Sequence, residues 1–211
     1  LLLVFALIYK GYVRSYRTKM IATYAFPEGI KDKVKAVYPH LEDKDIQQVM
    51  KGLREYFHVI NLAGKNKAVA MPSQVVDVAW HEFILFTREY ERFCLKALGR
   101  FIHHTPAEAM KTKTQAQAGI KRAWRIACHR ESINPLSPTK LPLLFAIDAR
   151  LQIEDGFNYE LNCQQLADGR GQGDGGYCAT HIGCSTGCSG SAGDGGCTGG
   201  GGCSGGGCGS S

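Results

Sequence analysis

Apolar residues recur every three or four positions along most of the chain before Leu161, the period of amphipathic helices. Between Asp43 and Ile60 the positions Ile46, Val49, Met50, Leu53, Phe57 and Ile60 fall on one stripe. Lys44, Gln47, Gln48, Lys51 and Arg54 fall on the other. Met71–Pro106 repeats the pattern with more chemistry in it. Pro72 and Ser73 mark a helix start, and Val76, Trp80, Phe83, Thr87, Tyr90 and Cys94 form the buried stripe. Gly99 stands where a helix end favours a left-handed residue, and Arg100-Phe101-Ile102-His103-His104 reads as a short extended return. Thr105-Pro106-Ala107-Glu108 predicts a further helix start, with a break at Gly119 and a second half carried by Ile120, Ala123, Trp124, Ala127 and Cys128. Leu141–Leu151 is a short apolar piece, and strand alternation is visible only across Gly156–Leu161. The fold class expected is mainly α: a small irregular helical bundle around one long central helix.

The first nine residues, LLLVFALIY, are uniformly apolar and are followed by Lys10, Arg14, Arg17 and Lys19. A bilayer span needs about 20 apolar residues. Charges that follow the run, rather than precede it, suggest the end of a membrane anchor emerging on the positive, cytoplasmic side. Residues 1–20 are therefore expected to be anchor and basic juxtamembrane segment, with the body in the cytoplasm, at the inner membrane for a bacterial protein. The turn Phe26-Pro27-Glu28-Gly29 closes that segment.

Composition divides the rest. Residues 21–168 have the make-up of a folded domain, whereas 169–211 hold 19 of the 26 glycines and six of the nine cysteines. Such a tail lacks the apolar surface to offset its chain entropy and is expected to be disordered. Its thiols, Cys178, Cys184, Cys188, Cys197, Cys203 and Cys208, follow no regular spacing and form no Cys-x-x-Cys pair. A plain tether and an adaptable soft-metal trap both remain open for it. The formal charge of +6 fits anionic partners in general. No phosphate-binding loop and no interleaved aromatic-basic surface accompanies it, so no nucleic acid is expected.

Candidate chemistry gathers around His81. Asp77 precedes it by one helical turn, so its carboxylate can hydrogen-bond one imidazole nitrogen and orient the ring while the other nitrogen stays free for a metal. His103 and His104 lie where the return could bring them back to the helix, and Cys128-His129 could add a donor from the next one. Three or four nitrogen and sulfur donors would suit zinc. The plainer reading of a Trp-His pair beside an apolar stripe is a packed core histidine, with Trp80, Phe83, Tyr90 and Trp124 as core and Cys94 as a small buried hydrophobe.

Asp77, Trp80-His81, Tyr90, Cys94 and Gly99-Arg100 together resemble the signature of the glycine-rich domain-containing proteins of plants and, in shorter forms, bacteria. The likeness extends to Phe83-Ile84-Leu85, His103-His104-x-Pro106 and Leu141-Pro142, over about Ile46 to Cys163. Phe83 stands where plant members often have a second histidine. The resemblance implies a fold and a signature core, Trp80, Tyr90, Cys94 and Gly99, but no enzymatic activity. The expectation is thus a membrane-tethered, non-enzymatic helical module that binds or scaffolds an unidentified protein partner. The alternative is a metal-binding protein or metal-dependent enzyme using His81 with His103, His104 or His129. No small-molecule substrate is identified.

Overall fold

The computed structural model describes residues 2–64, 67–104 and 113–161, together with Tyr177, Cys178 and Ile182. The chain runs α1 (Leu2–Thr23), α2 (Gly29–Val37), α3 (Asp43–Ala63), α4 (Gln74–Leu85) and α5 (Thr87–Phe93), then a π-helical turn (Cys94–Leu98), α6 (Lys113–Arg130) and α7 (Leu143–Arg150). A minimal parallel pairing of β1 (Tyr159–Glu160) with β2 (Tyr177–Cys178) completes it. The architecture is mainly α, as the periodicity predicts.

Helix α3 is the hub, packing against α1, α2, α4, α6, α7 and the π turn. Its stripe is buried as read from the sequence: Ile46, Val49, Met50, Leu53, Phe57 and Ile60 all lie in the core. At its start the Asp45 carboxylate accepts from the Glu42 N–H at 3.1 Å, satisfying a donor that the helix itself cannot. Gly52 marks the crossing with α4. A Cβ there would lie 2.8 Å from Val76 Cγ2, so only glycine lets the two helices come this close.

The segment after Ser73 is not one straight helix. It bends at Phe86, whose ψ of 60° ends α4 before α5 begins. The Phe86 ring reaches α2, where a Cβ on Gly29 would sit 3.1 Å from it, so this bend seats an aromatic between two elements. Below the bend Phe26, Phe57, Phe83 and Phe93 interlock, with Phe83 edge-on to Phe26 at 5.2 Å and Phe93 against Phe57 at 4.7 Å. Gly99 has the left-handed φ of 70° expected of it, and the Arg17 guanidinium lies where a Cβ would project.

Gly119, read as a break, instead lies inside an unbroken α6. Its missing side chain serves close packing, since a Cβ would stand 3.0 Å from the Ala70 nitrogen. The helix start read at Thr105-Pro106 lies outside the described residues, as does most of the Gly/Cys-rich tail, including Cys184, Cys188, Cys197, Cys203 and Cys208. Within that tail Tyr177 and Cys178 pair with β1, and Ile182 belongs to the core cluster.

The membrane-anchor expectation is overturned. Helix α1 runs on through Lys10, Arg14, Arg17 and Lys19, and no helix among the described residues is long and apolar enough to cross a membrane. The inner end of α1 packs on α3 and the π turn instead, burying Ile21. Arg54 of α3 donates to the carbonyls of Ile21 and Tyr24, the latter at 2.9 Å, and so caps that end. The anchored, cytoplasm-facing placement that rested on the span falls with it.

Candidate metal site

Helix α4 begins where the sequence places it. Ser73 Oγ accepts from the Val76 N–H at 3.2 Å, the N-cap bond that satisfies an otherwise orphaned donor. A second cap comes from a distant residue. The carboxylate of Asp148 on α7 accepts from Ser73 Oγ at 2.6 Å, from the Gln74 N–H at 2.7 Å and from the Val75 N–H at 3.3 Å. It also accepts from the Phe157 N–H at 2.9 Å. Asp148 is 2% exposed. Burial pushes its pKa up, while the Ser73 hydroxyl and the three backbone donors pull it down. Asp148 ties α4, α7 and the approach to β1 into one unit, and it is the anchor for the helix that carries the candidate chemistry. A lone acid directly after the apolar run Leu143–Ile147 is the sequence signal for it, which periodicity alone does not pick out.

One turn into α4 stands Asp77, and one turn later His81. The return after Gly99 brings His104 against both. His104 Nε2 lies 3.1 Å from Asp77 Oδ1, His81 Nε2 lies 3.2 Å from His104 Nδ1, and His81 Nδ1 lies 3.6 Å from Asp77 Oδ2. One donor atom from each residue can be chosen so that all three lie within 4.8 Å of one another. The side chains of Asp77 and His104 are 21% and 13% exposed and that of His81 is 49% exposed, so the group is walled on one side and open on the other.

The proton count of this triangle is informative. Two neutral imidazoles carry one N–H each, against three polar contacts. If His104 donates to Asp77 and His81 to His104, an unprotonated His81 nitrogen faces a carboxylate oxygen. If both donate to Asp77, two bare ring nitrogens face each other at 3.2 Å. The first arrangement satisfies both contacts short enough to be hydrogen bonds and leaves only the 3.6 Å approach of His81 Nδ1 to Asp77 unbridged, open to water, a proton or a cation at this half-exposed ring.

The structure separates the sequence candidates. His81 and His104 meet, and Asp77 contacts both, so its carboxylate faces the same point as the two rings. His81 is half exposed and is not the packed core histidine of the plainer reading. His103 points elsewhere, its ring 4.9 Å from Phe101, and it is exposed. Cys128 is fully buried in α6, where burial drives its thiol pKa up to about 12, and His129 is exposed beside it. Neither belongs to the group that converges on Asp77. Trp80, Tyr90 and Cys94 are core, as read. The Trp80 ring meets His104 edge-on at 4.6 Å, its Nε1–H donates to Tyr90 Oη at 3.1 Å, and that hydroxyl donates to the Ile102 carbonyl at 2.7 Å.

His58 also escaped the sequence reading. It is 4% exposed, beside the pair in which Arg130 holds Glu55 through two bonds of 2.7 and 3.0 Å. Burial first, and then the Arg130 charge, lower its pKa to about 4, so it packs as a neutral ring.

A family model described as UCP032817-like matches residues 16–182, and the chain belongs to that family. This finding replaces the resemblance to glycine-rich domain proteins: the matched region runs from α1 to Ile182, well beyond the signature that carried the likeness, and stops before most of the glycine-rich tail. The error has a physical source, because residues that hold one turn and one return together were read as the mark of a different family. No curated protein matches the chain, and no solved structure does.

Proposed function

We propose that this member of the UCP032817-like family binds a divalent transition-metal ion through Asp77, His81 and His104. The observation that carries the reading is the convergence of one carboxylate and two imidazoles within 4.8 Å, from two chain segments that Gly99 turns back on each other. Two nitrogens and one oxygen suit zinc, and the same set suits iron(II) or manganese(II). Donors around a tetrahedral zinc lie about 3.3 Å apart for bonds of roughly 2.0–2.1 Å, so an ion would draw the group in from its present 4.8 Å limit, with His104 offering one of its two nitrogens. Three protein donors leave at least one position for solvent, and a metal there would act as a Lewis acid on whatever binds next. Asp77 and His81 are held by their helix, and His104 is held by the packing of Trp80.

The test uses the chain with its five cysteines beyond Ile182 replaced by serine, which removes competing thiolates. Elemental analysis and cobalt(II) titration should find stoichiometric metal, lost in Asp77→Asn, His81→Ala and His104→Ala with helicity by circular dichroism unchanged. His103→Ala and His129→Ala should retain it. Undiminished metal in the three site variants would defeat the assignment.

A further inference from the structure

His104 lies on an irregular return, and what keeps it in register with α4 is found two residues earlier. The Ile102 carbonyl accepts the Tyr90 hydroxyl proton at 2.7 Å, and the Ile102 backbone lies within hydrogen-bonding reach of Cys94 sulfur. The Ile102 side chain is itself buried. Both the peptide and the side chain of one residue are thus fixed. The direction of the Tyr90 bond is not left to chance. An indole nitrogen can only donate and a carbonyl can only accept, so Tyr90 Oη accepts from Trp80 Nε1 and donates to Ile102. The same tryptophan presses its ring edge on His104 at 4.6 Å.

We infer that Trp80, Tyr90 and Cys94 are positioning residues of the Asp77–His81–His104 site, clamping Ile102 so that His104 is held at donor distance before any ion arrives. The inference rests on the metal reading for its purpose, though not for its geometry. It accounts for the buried hydroxyl of Tyr90, which a purely apolar core would not call for. It also explains why four of the residues picked out in the sequence lie in or around one turn: Trp80 and Tyr90 orient the hydroxyl, Cys94 takes the amide side, and Gly99 reverses the chain between them. Outer residues that orient a ligand commonly affect metal affinity by about 10–100-fold when removed.

Tyr90→Phe keeps the ring and deletes the hydroxyl, and it is tested by two readouts in the chain whose five cysteines beyond Ile182 are replaced by serine. The first is cobalt(II) affinity and the visible spectrum of the cobalt form. Affinity is expected to fall about 10–100-fold, with an altered band pattern. The second is amide hydrogen exchange in metal-free protein, expected to quicken at residues 102–104. Phe145→Leu, which loosens the Trp124–Phe145–Tyr159 ring contacts at the α6–α7 side of the core, serves as the destabilised control and should change neither readout. Quicker exchange with unchanged cobalt affinity overturns the clamp as a positioning device, and unchanged exchange overturns it whatever the affinity. If the wild-type chain takes up no cobalt, the metal reading fails on its own, and exchange at 102–104 still decides whether the clamp holds His104.

Discussion

Removing the Asp148 carboxylate tests the claim that α4 is held from outside itself. In Asp148→Ala the N–H groups of Gln74, Val75 and Phe157 lose their acceptor, while Ser73 can rotate its hydroxyl and keep its own bond to Val76. Each stranded buried donor costs about 1–3 kcal/mol, and partial access to water at Gln74 and Phe157 lowers their share. The sum is a loss of roughly 3–5 kcal/mol. Asp148→Asn separates hydrogen bonding from charge. Its remaining oxygen can serve Ser73 and Val75, but its NH2 group confronts donors at Gln74 and Phe157. Against that loss stands relief from burying an anion, the same effect that raises the Asp148 pKa. The balance is a loss of about 1–3 kcal/mol, smaller than for alanine. Urea unfolding at neutral pH, followed by far-ultraviolet circular dichroism, measures both, and an unchanged m value confirms that the unfolding transition is comparable. An asparagine variant as stable as wild type would refute the reasoning, because the buried anion would then be a burden and not the cap of α4.

Three further outcomes are expected. Gly99→Ala forces a side chain into a left-handed φ of 70° and against Arg17, and should cost about 1–2 kcal/mol or more, seen as a lowered Tm. A change below about 0.5 kcal/mol would mean the turn relaxes freely. His58 has a folded pKa near 4 against an ordinary 6.5, so the unfolded chain binds its proton more readily. Its stabilising contribution is therefore complete above pH 6.5 and is lost as pH falls toward 4, up to roughly 3 kcal/mol. Stability measured across that range should fall less steeply in His58→Leu; an equal slope would place the effect elsewhere. Gly52→Ala should destabilise by about 1–2 kcal/mol despite its better helix propensity, because its Cβ meets Val76 Cγ2 at 2.8 Å. A double-mutant cycle with Val76→Ala should recover most of that cost, and additive effects would remove the helix crossing as the cause.

Much of the fold was legible because burial and period act locally. Ile46 through Ile60 declare a buried face within a few turns of themselves, and Ser73 and Gly99 mark ends through their own hydrogen-bonding and φ preferences. What misled was sequence without its partners. Gly119 looks like a helix breaker until Ala70 is seen packed against it. LLLVFALIY suggests a span by its composition alone, whereas α1 taken over its whole length is not apolar enough to cross a membrane.

The candidate site was half legible for a related reason. Spacing along a helix can place Asp77 under His81, since four residues on a helix are neighbours in space whatever surrounds them. It cannot choose between His103 and His104, because adjacent residues on an extended return point to opposite sides. That choice is made by the clamp on Ile102, which fixes which side chain turns inward, and the clamp requires Trp80, Tyr90 and Cys94 to meet across the bend. The sequence did single out those three, but as core and as a family signature. Their apolar surfaces explain their burial; Tyr90 and Cys94 reach the Ile102 backbone directly, and Trp80 reaches it through the Tyr90 hydroxyl. A core built for stability alone would put leucine or phenylalanine at position 90. A tyrosine there that spends its only proton on the Ile102 carbonyl makes sense when the position of residue 104 has to be held.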